Sequence, residues 1–326
     1  MPPKKQTYTK KDPISHILDR PDTWVGSTRS RPIEEFVVTD NQFHISKQTV
    51  NVSPAILRMF IEPLSNAIDN VARSKLNKNP TTKIAIDIDR EKGELVFWND
   101  GDVIPIELHE EEKCYNHTLI FGHLLTSSNY DDEDERKDIS GRNGLGSKLC
   151  NIFSTSFTVE GTDPKNGKRF KQTWRDNMRT VTEPVISDYK QKHGYTKLVF
   201  TLDFPRFGLK GFTDDVLSLY KRLVVDAAMI TKVHVFLNEE EIPVRSLPDY
   251  AKLFSNEESE TLFIKSNDCE VVLTPAPDFQ AISFANGIFT PLGGTHVEAW
   301  AEAIFRPLVE KLNKPKKPQV NIADVK

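Results

Sequence analysis

Gly141-Arg142-Asn143-Gly144-Leu145-Gly146-Ser147-Lys148 runs directly into the apolar stretch Leu149-Cys150-Asn151-Ile152-Phe153. Three glycines, an Arg and a Lys lie within eight residues, where a polar loop turns into a helix. Glycine lets a backbone approach a phosphate closely and take up positive φ, and a helix start offers unpaired N–H donors at the positive end of its dipole. The two cationic side chains add charge-assisted bonds. The pattern fits a nucleoside triphosphate cradle. It is not a Walker A loop, because the four-residue gap before Gly-Lys-Ser/Thr is missing. A glycine-rich loop by itself also fits a structural turn, so the decision rests on residues upstream.

Ser53-Pro54 opens a helix with a capping hydroxyl and a proline at the first position, where a missing N–H removes no bond. The pattern predicts a helix to about Leu76. At 3.6 residues per turn, Ile56, Phe60, Leu64, Ala67, Ile68 and Val71 gather on one side. Glu62, Asn66 and Asn70, spaced four apart, share the other side within an arc of roughly 80°. One acid and two carboxamides in a line fit a general base above a metal ligand, with a third group near phosphates. A solvated polar face is the plainer alternative, although Lys, Glu and Arg form helices better than two amides do.

Two alternating runs follow, Lys83–Asp89 and Glu94–Trp98, joined by Arg90-Glu91-Lys92-Gly93, and they read as a β-hairpin. The second empties into Asn99-Asp100-Gly101-Asp102-Val103-Ile104-Pro105. An amide at a strand end, followed by glycine, can face an adenine edge; an Asn-Asp-Gly turn closing the strand explains the same residues.

The chain has 326 residues and a formal net charge of −4, enough length for two domains and an ordinary balance of charge. It carries no apolar run long enough to span a bilayer and no secretory leader, which predicts a soluble, non-secreted protein without membrane partners. Cys114, Cys150 and Cys269 have unrelated spacings, against a disulfide framework or zinc site and in keeping with a reducing compartment. Cys150 lies in an apolar helical run and reads as core. Basic clusters at Lys4-Lys5, Lys10-Lys11 and Lys314–Lys317 read as solvated tails or linkers, and a slightly acidic chain is a weak DNA gripper.

Taken in order, these segments resemble the GHKL (Bergerat-fold) ATPases, and within them the N-terminal ATPase region of eukaryotic-type DNA topoisomerase II. The resemblance starts at Tyr8 and continues through His16-Ile17-Leu18, Arg20–Gly26 and the Glu62/Asn66/Asn70 helix. It includes Ile120–Asp132 and Gly141–Ser154, then Gln280–Phe284 and Gly293-Gly294-Thr295-His296. It implies an α+β fold: a GHKL α/β sandwich ATPase domain with an N-terminal strap over residues 1–248, then a partial ribosomal-S5-like transducer domain over 249–326. Strands are expected near 155–161, 169–175 and 196–203, a helix from Thr213 to Ile230, and a strand from Lys232 to Leu237. The second part is expected to hold strands near 261–266, 269–275 and 281–287 and a helix from His296 to Leu312. The acid-rich segment Asp131–Asp138 suits a lid over the nucleotide.

By position, the resemblance makes Glu62 the base that activates water, Asn66 the Mg²⁺ ligand and Asn70 a phosphate contact. Asn99 takes the adenine-reading place, and Ser127, Ser128 and Asn129 match ribose and phosphate contacts. Arg142, Asn143, Gly144, Leu145, Gly146, Ser147 and Lys148 match the triphosphate loop. Thr196 matches a position beside the phosphates, and Tyr8 the strap tyrosine that crosses to a partner subunit. Three residues depart from the pattern. Val103 replaces a glycine, Leu145 replaces an aromatic, and Pro63 interrupts the helix directly after Glu62.

The implied function is an ATP-driven gate of a type IIA topoisomerase. Mg²⁺–ATP would bring two subunits together around a DNA duplex, in a nucleus or, for a large DNA virus, a host cell or virion. The family's ATP-sensing lysine and the DNA-cleaving machinery have no counterpart in this sequence. A GHKL chaperone or kinase-like ATPase, and a binding-only nucleotide module, are the alternatives; the Ile120–Ser154 block argues against the first and Glu62 against the second.

Overall fold

The computed structural model describes residues 11–124, 145–254, 261–266, 269–275, 279–285, 287–313 and 319–322. It forms two compact units, Met1–Asn256 and Glu257–Lys326.

The first unit opens with α1 (Pro13–Asp19), capped by Asp12, and the single turn α2 (Pro21–Trp24). Strands β1 (Arg31–Val38) and β2 (Ile45–Val52) pair antiparallel and lead to α3 (Pro54–Leu76). Then come β3 (Lys83–Asp89), β4 (Glu94–Asp100), and the seven-residue helices α4 (Asn116–Gly122) and α5 (Gly146–Ile152). They are followed by β5 (Ser154–Asp163), β6 (Lys168–Arg175), β7 (Thr180–Val181), β8 (Val185–Asp188) and β9 (Tyr195–Leu202). A 3₁₀ turn at Phe204–Phe207, α6 (Asp214–Thr231), β10 (His234–Leu237), β11 (Glu240–Glu241) and α7 (Leu247–Lys252) complete the unit.

Helix α3 begins where the capping pattern requires: Ser53 Oγ accepts from the Ile56 N–H at 3.2 Å and Pro54 occupies the first position. The predicted hairpin is also present, with Asp89 opposite Glu94 around the turn. One nine-stranded sheet runs β11-β10-β3-β4-β9-β5-β6-β7, with β8 also on β6. Its pairs are antiparallel except β10–β3, so the fold is α+β with a mixed sheet. One sheet face is apolar and covered by helices. Phe60 of α3 stacks on Tyr220 of α6 at 4.0 Å between ring centroids and meets Phe97 of β4 at 5.0 Å. Phe97 in turn faces Phe200, and Phe200 faces Phe157, carrying the aromatic core across three strands.

The β1–β2 hairpin, which the sequence patterning did not reveal, packs on α6. There Arg222 and Asp226 form a buried pair with 2.6 Å between Nε and Oδ1. Tyr250 of α7 donates its hydroxyl to the same carboxylate oxygen, and the Ile45 N–H donates to the Leu253 carbonyl. These bonds carry the first unit to Asn256, past the boundary expected at residue 248. In the second unit β12 (Leu262–Lys265) pairs with β13 (Glu270–Leu273), β14 (Phe284–Ala285) pairs with β15 (Ile288–Phe289), and α8 spans Thr295–Leu312. No helix among the described residues is long and apolar enough to cross a membrane.

Candidate active site

Glu62, Asn66 and Asn70 share one stripe of α3, as their spacing requires, but meet different surroundings. Glu62 is half-buried, and Arg58 one turn earlier holds its Oε1 at 2.8 Å through Nε. Asn66 is exposed. Asn70 is buried, with Nδ2 donating to the Asp100 and Asp102 carbonyls at 3.1 and 3.2 Å and Oδ1 accepting from Arg73 at 2.7 Å. Those bonds brace the loop that follows β4.

Pro63 leaves α3 continuous, yet it has no N–H to give to the Met59 carbonyl four residues back. That carbonyl accepts instead from the Cys150 thiol, with 3.5 Å between Sγ and O. The sulfur belongs to α5, the helix that ends the glycine loop. The expected interruption in α3 is therefore a fastening point between α3 and α5.

Among the described residues no side chain caps the first turn of α5, where half-buried Leu145 takes the cap position. Gly146 packs so closely on Glu62 that a β-carbon there would stand 2.7 Å from the Glu62 Cδ. Ser147 and Lys148 are buried. Burial pulls the Lys148 ammonium down to a pKa of about 8, because a charge removed from water is disfavoured. Of the remaining expected site residues, Tyr8, Ser127, Ser128, Asn129, Arg142, Asn143 and Gly144 lie outside the described residues, as does the acid-rich segment Asp131–Asp138.

Strand register assembles the other end of the site. Asn99 of β4 is directly opposite Thr196 of β9, and Thr196 is directly opposite Gly161 of β5. Directly paired residues point to the same face, and alternation places this row on the helix-covered side with Phe97, Leu198 and Val159. Past Asn99 the backbone is held on several sides. Asp100 accepts from the Thr82 and Lys83 N–H groups, the Asp102 N–H donates to Ser74 Oγ at 2.7 Å, and Asn79 donates to the Gly101 carbonyl. Gly101 has φ +96°, and a β-carbon there would stand 2.5 Å from Ser74 Oγ. The substitution at 103 is absorbed across the site: a β-carbon at Gly194 would lie 2.6 Å from Val103 Cγ1.

Patterning did not reveal Ser74, Thr81, Gly161 or His117, which surround these groups. Their signal is the register of strands and loops distant in sequence, which no local window carries. Among the described residues no cluster of three or more His, Cys, Asp or Glu side chains forms a metal site.

No protein-family model matches the chain. It is 40% identical over 330 residues to the DNA topoisomerase 2 of Invertebrate iridescent virus 6, covering 96% of this chain and 29% of the viral protein. It spans less than a third of the length of that relative. The solved ATPase region of Saccharomyces cerevisiae topoisomerase II superposes with a TM-score of 0.86 at 37% identity, over 97% of this chain and 82% of that one. The ATPase and transducer domains of DNA topoisomerase II from Balamuthia mandrillaris give 0.84 at 36% identity, over 94% and 78%. With its mixed sheet backed by helices, its glycine-contacted acid and its near full-length match to the yeast region, this chain belongs to the GHKL-fold ATPase region of the DNA topoisomerase II family.

Proposed function

We propose that the chain is the ATP-binding and ATP-hydrolysing gate of a type II DNA topoisomerase, whose nucleotide-driven dimerisation clamps a DNA duplex for strand passage. The observation that carries this reading is the contact of the Glu62 carboxylate with Gly146, two residues before buried Lys148. An acid on one helix is thereby held against the first turn of the helix that carries the cation.

In this reading Asn99 takes the adenine edge, and Thr196, directly opposite it in the sheet, joins it there instead of taking the phosphate-side role the resemblance implied, while Lys148 and the loop N–H groups take the phosphates. Ser127, Ser128 and Asn129 would take ribose and phosphate, with Arg142, Asn143 and Gly144 along the triphosphate. Glu62, steered by Arg58, orients a water and accepts its proton as the water attacks the terminal phosphorus. The Lys148 ammonium and the loop amides stabilise charge developing on the phosphoryl oxygens.

Asn66 suits Mg²⁺, which favours hard oxygen ligands and keeps several waters, so that one exposed carboxamide and the nucleotide's own oxygens make an adequate donor set. An ion held there would supply neutralisation of phosphate charge. Tyr8 would cross to the second subunit, and residues 257–326 would act as the transducer. The eukaryotic and viral relatives support a nuclear location or, for a virus, a host-cell or virion one.

The test is turnover with supercoiled DNA in the longest available form of the protein. Glu62→Gln keeps shape and loses the proton acceptor, so hydrolysis should fall about 10²–10⁴-fold while ATP still binds. Undiminished turnover in that variant overturns the assignment.

A further inference from the structure

His117, at the start of α4, is fully buried, and among the described residues neither ring nitrogen has a hydrogen-bond partner. Leaving such atoms unpaired is costly, and a phenyl or aliphatic side chain would fill the space without that cost. The ring is nonetheless firmly placed. It stacks on Phe170 of β6 with 4.6 Å between centroids and 18° between planes. Tyr115, two residues earlier, meets the same phenyl edge-on, and Thr118 donates to Gln172 at 2.7 Å.

The position of the ring is informative. Phe170 pairs with Gly161, Gly161 with Thr196, and Thr196 with Asn99, forming one row across four strands. The imidazole spans from Phe170 to Gly161. A β-carbon on Gly161 would collide with Nε2 and stand 2.8 Å from Cδ2. Glycine is thus what admits the ring, and the ring's polar edge overhangs the residue next to Thr196. Burial lowers the imidazole pKa to about 4, opposed by Asp163, so the ring is neutral near pH 7. Neutral imidazole offers one N–H donor and one acceptor. Adenine presents both an exocyclic N–H donor and ring-nitrogen acceptors.

We propose that His117 is a specificity-determining residue of the purine pocket: beside Thr196 and Asn99, its unpartnered ring edge forms a hydrogen bond to the base, directly or through one bound water. This rests on the reading of Asn99 and Thr196 as the base-binding row.

The experiment is calorimetric titration of the chain with ATP, GTP and inorganic tripolyphosphate, which has phosphates and no base. His117→Phe preserves stacking on Phe170 and removes both nitrogens; His117→Asn keeps a donor and an acceptor. His117→Phe should weaken ATP about tenfold, as loss of one buried hydrogen bond does, narrow the preference for ATP over GTP, and leave tripolyphosphate binding unchanged. His117→Asn should recover part of the loss. A folded His117→Phe protein with wild-type ATP affinity overturns the proposal, and so does an equal loss for ATP and tripolyphosphate. Asn99→Ala separates the two layers. If it leaves the gap between ATP and tripolyphosphate intact, the base-row reading itself is wrong and His117 falls with it; if it closes the gap and His117→Phe does not, His117 alone is wrong.

Discussion

Gly146 and Glu62 touch backbone to carboxylate: a β-carbon on the glycine would stand 2.7 Å from Glu62 Cδ and 3.2 Å from its Cβ. Two helices distant in sequence therefore meet at the atom proposed to take a proton from water. Gly146→Ala should push the carboxylate aside without removing any reacting group. Misplacement by about 1 Å costs on the order of 10²-fold in rate, so single-turnover hydrolysis should fall by that order while nucleotide affinity changes far less. Equal losses in both would place the damage in binding instead.

Lys148 sets binding against stability. Its pKa of about 8 lies below the usual 10.5, so below pH 8 the fold carries a buried ammonium. Between pH 8 and 10.5 the folded chain holds fewer protons than the unfolded one, and stability rises with pH. Lys148→Met should lack this alkaline gain and bind ATP poorly. Urea melts at pH 7 and pH 10, with ATP titrations, check both outcomes.

His117 gives a pH dependence of the same sign in a lower window. Its pKa is lowered from 6.5 to about 4, so its contribution is intact above pH 6.5 and is lost as pH falls toward 4. At pH 5 the wild type should have lost about 2 kcal/mol relative to His117→Phe, compared with the difference at pH 7.5. Denaturation midpoints of both proteins at the two pH values measure it.

Val103 and Gly194 form a complementary pair, since a β-carbon at 194 would meet Val103 Cγ1 at 2.6 Å and Pro164 Cδ at 2.9 Å. Gly194→Ala should destabilise by about 1–3 kcal/mol through overpacking. Adding Val103→Ala should return part of that loss, leaving the part due to Pro164. Thermal melts of the two single variants and the double variant form the cycle.

Local chemistry made part of this molecule legible. Ser53-Pro54 and the apolar spacing from Ile56 to Val71 locate α3 within a residue of its observed ends, and Arg90–Gly93 marks the hairpin turn. The stripe of Glu62, Asn66 and Asn70 is legible because a helix converts spacing into a face. Nothing local announces that Asn99 faces Thr196, because that pairing depends on how a strand almost a hundred residues later enters the sheet. The same holds for Gly161 and His117. Asn70 shows a different limit: its place on the stripe was readable, but its bonds to Asp100 and Asp102 depend on where a loop from another element comes to rest. The β1–β2 hairpin escaped notice because its exposed Glu34, Lys47 and Gln48 and half-buried Glu35 dilute the alternation, and its packing depends on Arg222 and Tyr250 far along the chain.

The thiol that bonds to the Met59 carbonyl gives the site a built-in clock. Cys150 is fully buried and burial raises its pKa well above the ordinary thiol value, so an alkylating reagent meets no thiolate while α5 stays seated on α3. Labelling of Cys150 must wait for the two helices to part, and its rate counts those partings. Half-buried Cys114 and Cys269 react on their own schedule within the same chain and calibrate the reagent. A nucleotide that bridges Glu62 and Lys148 should slow the clock at Cys150 and leave it running at Cys269.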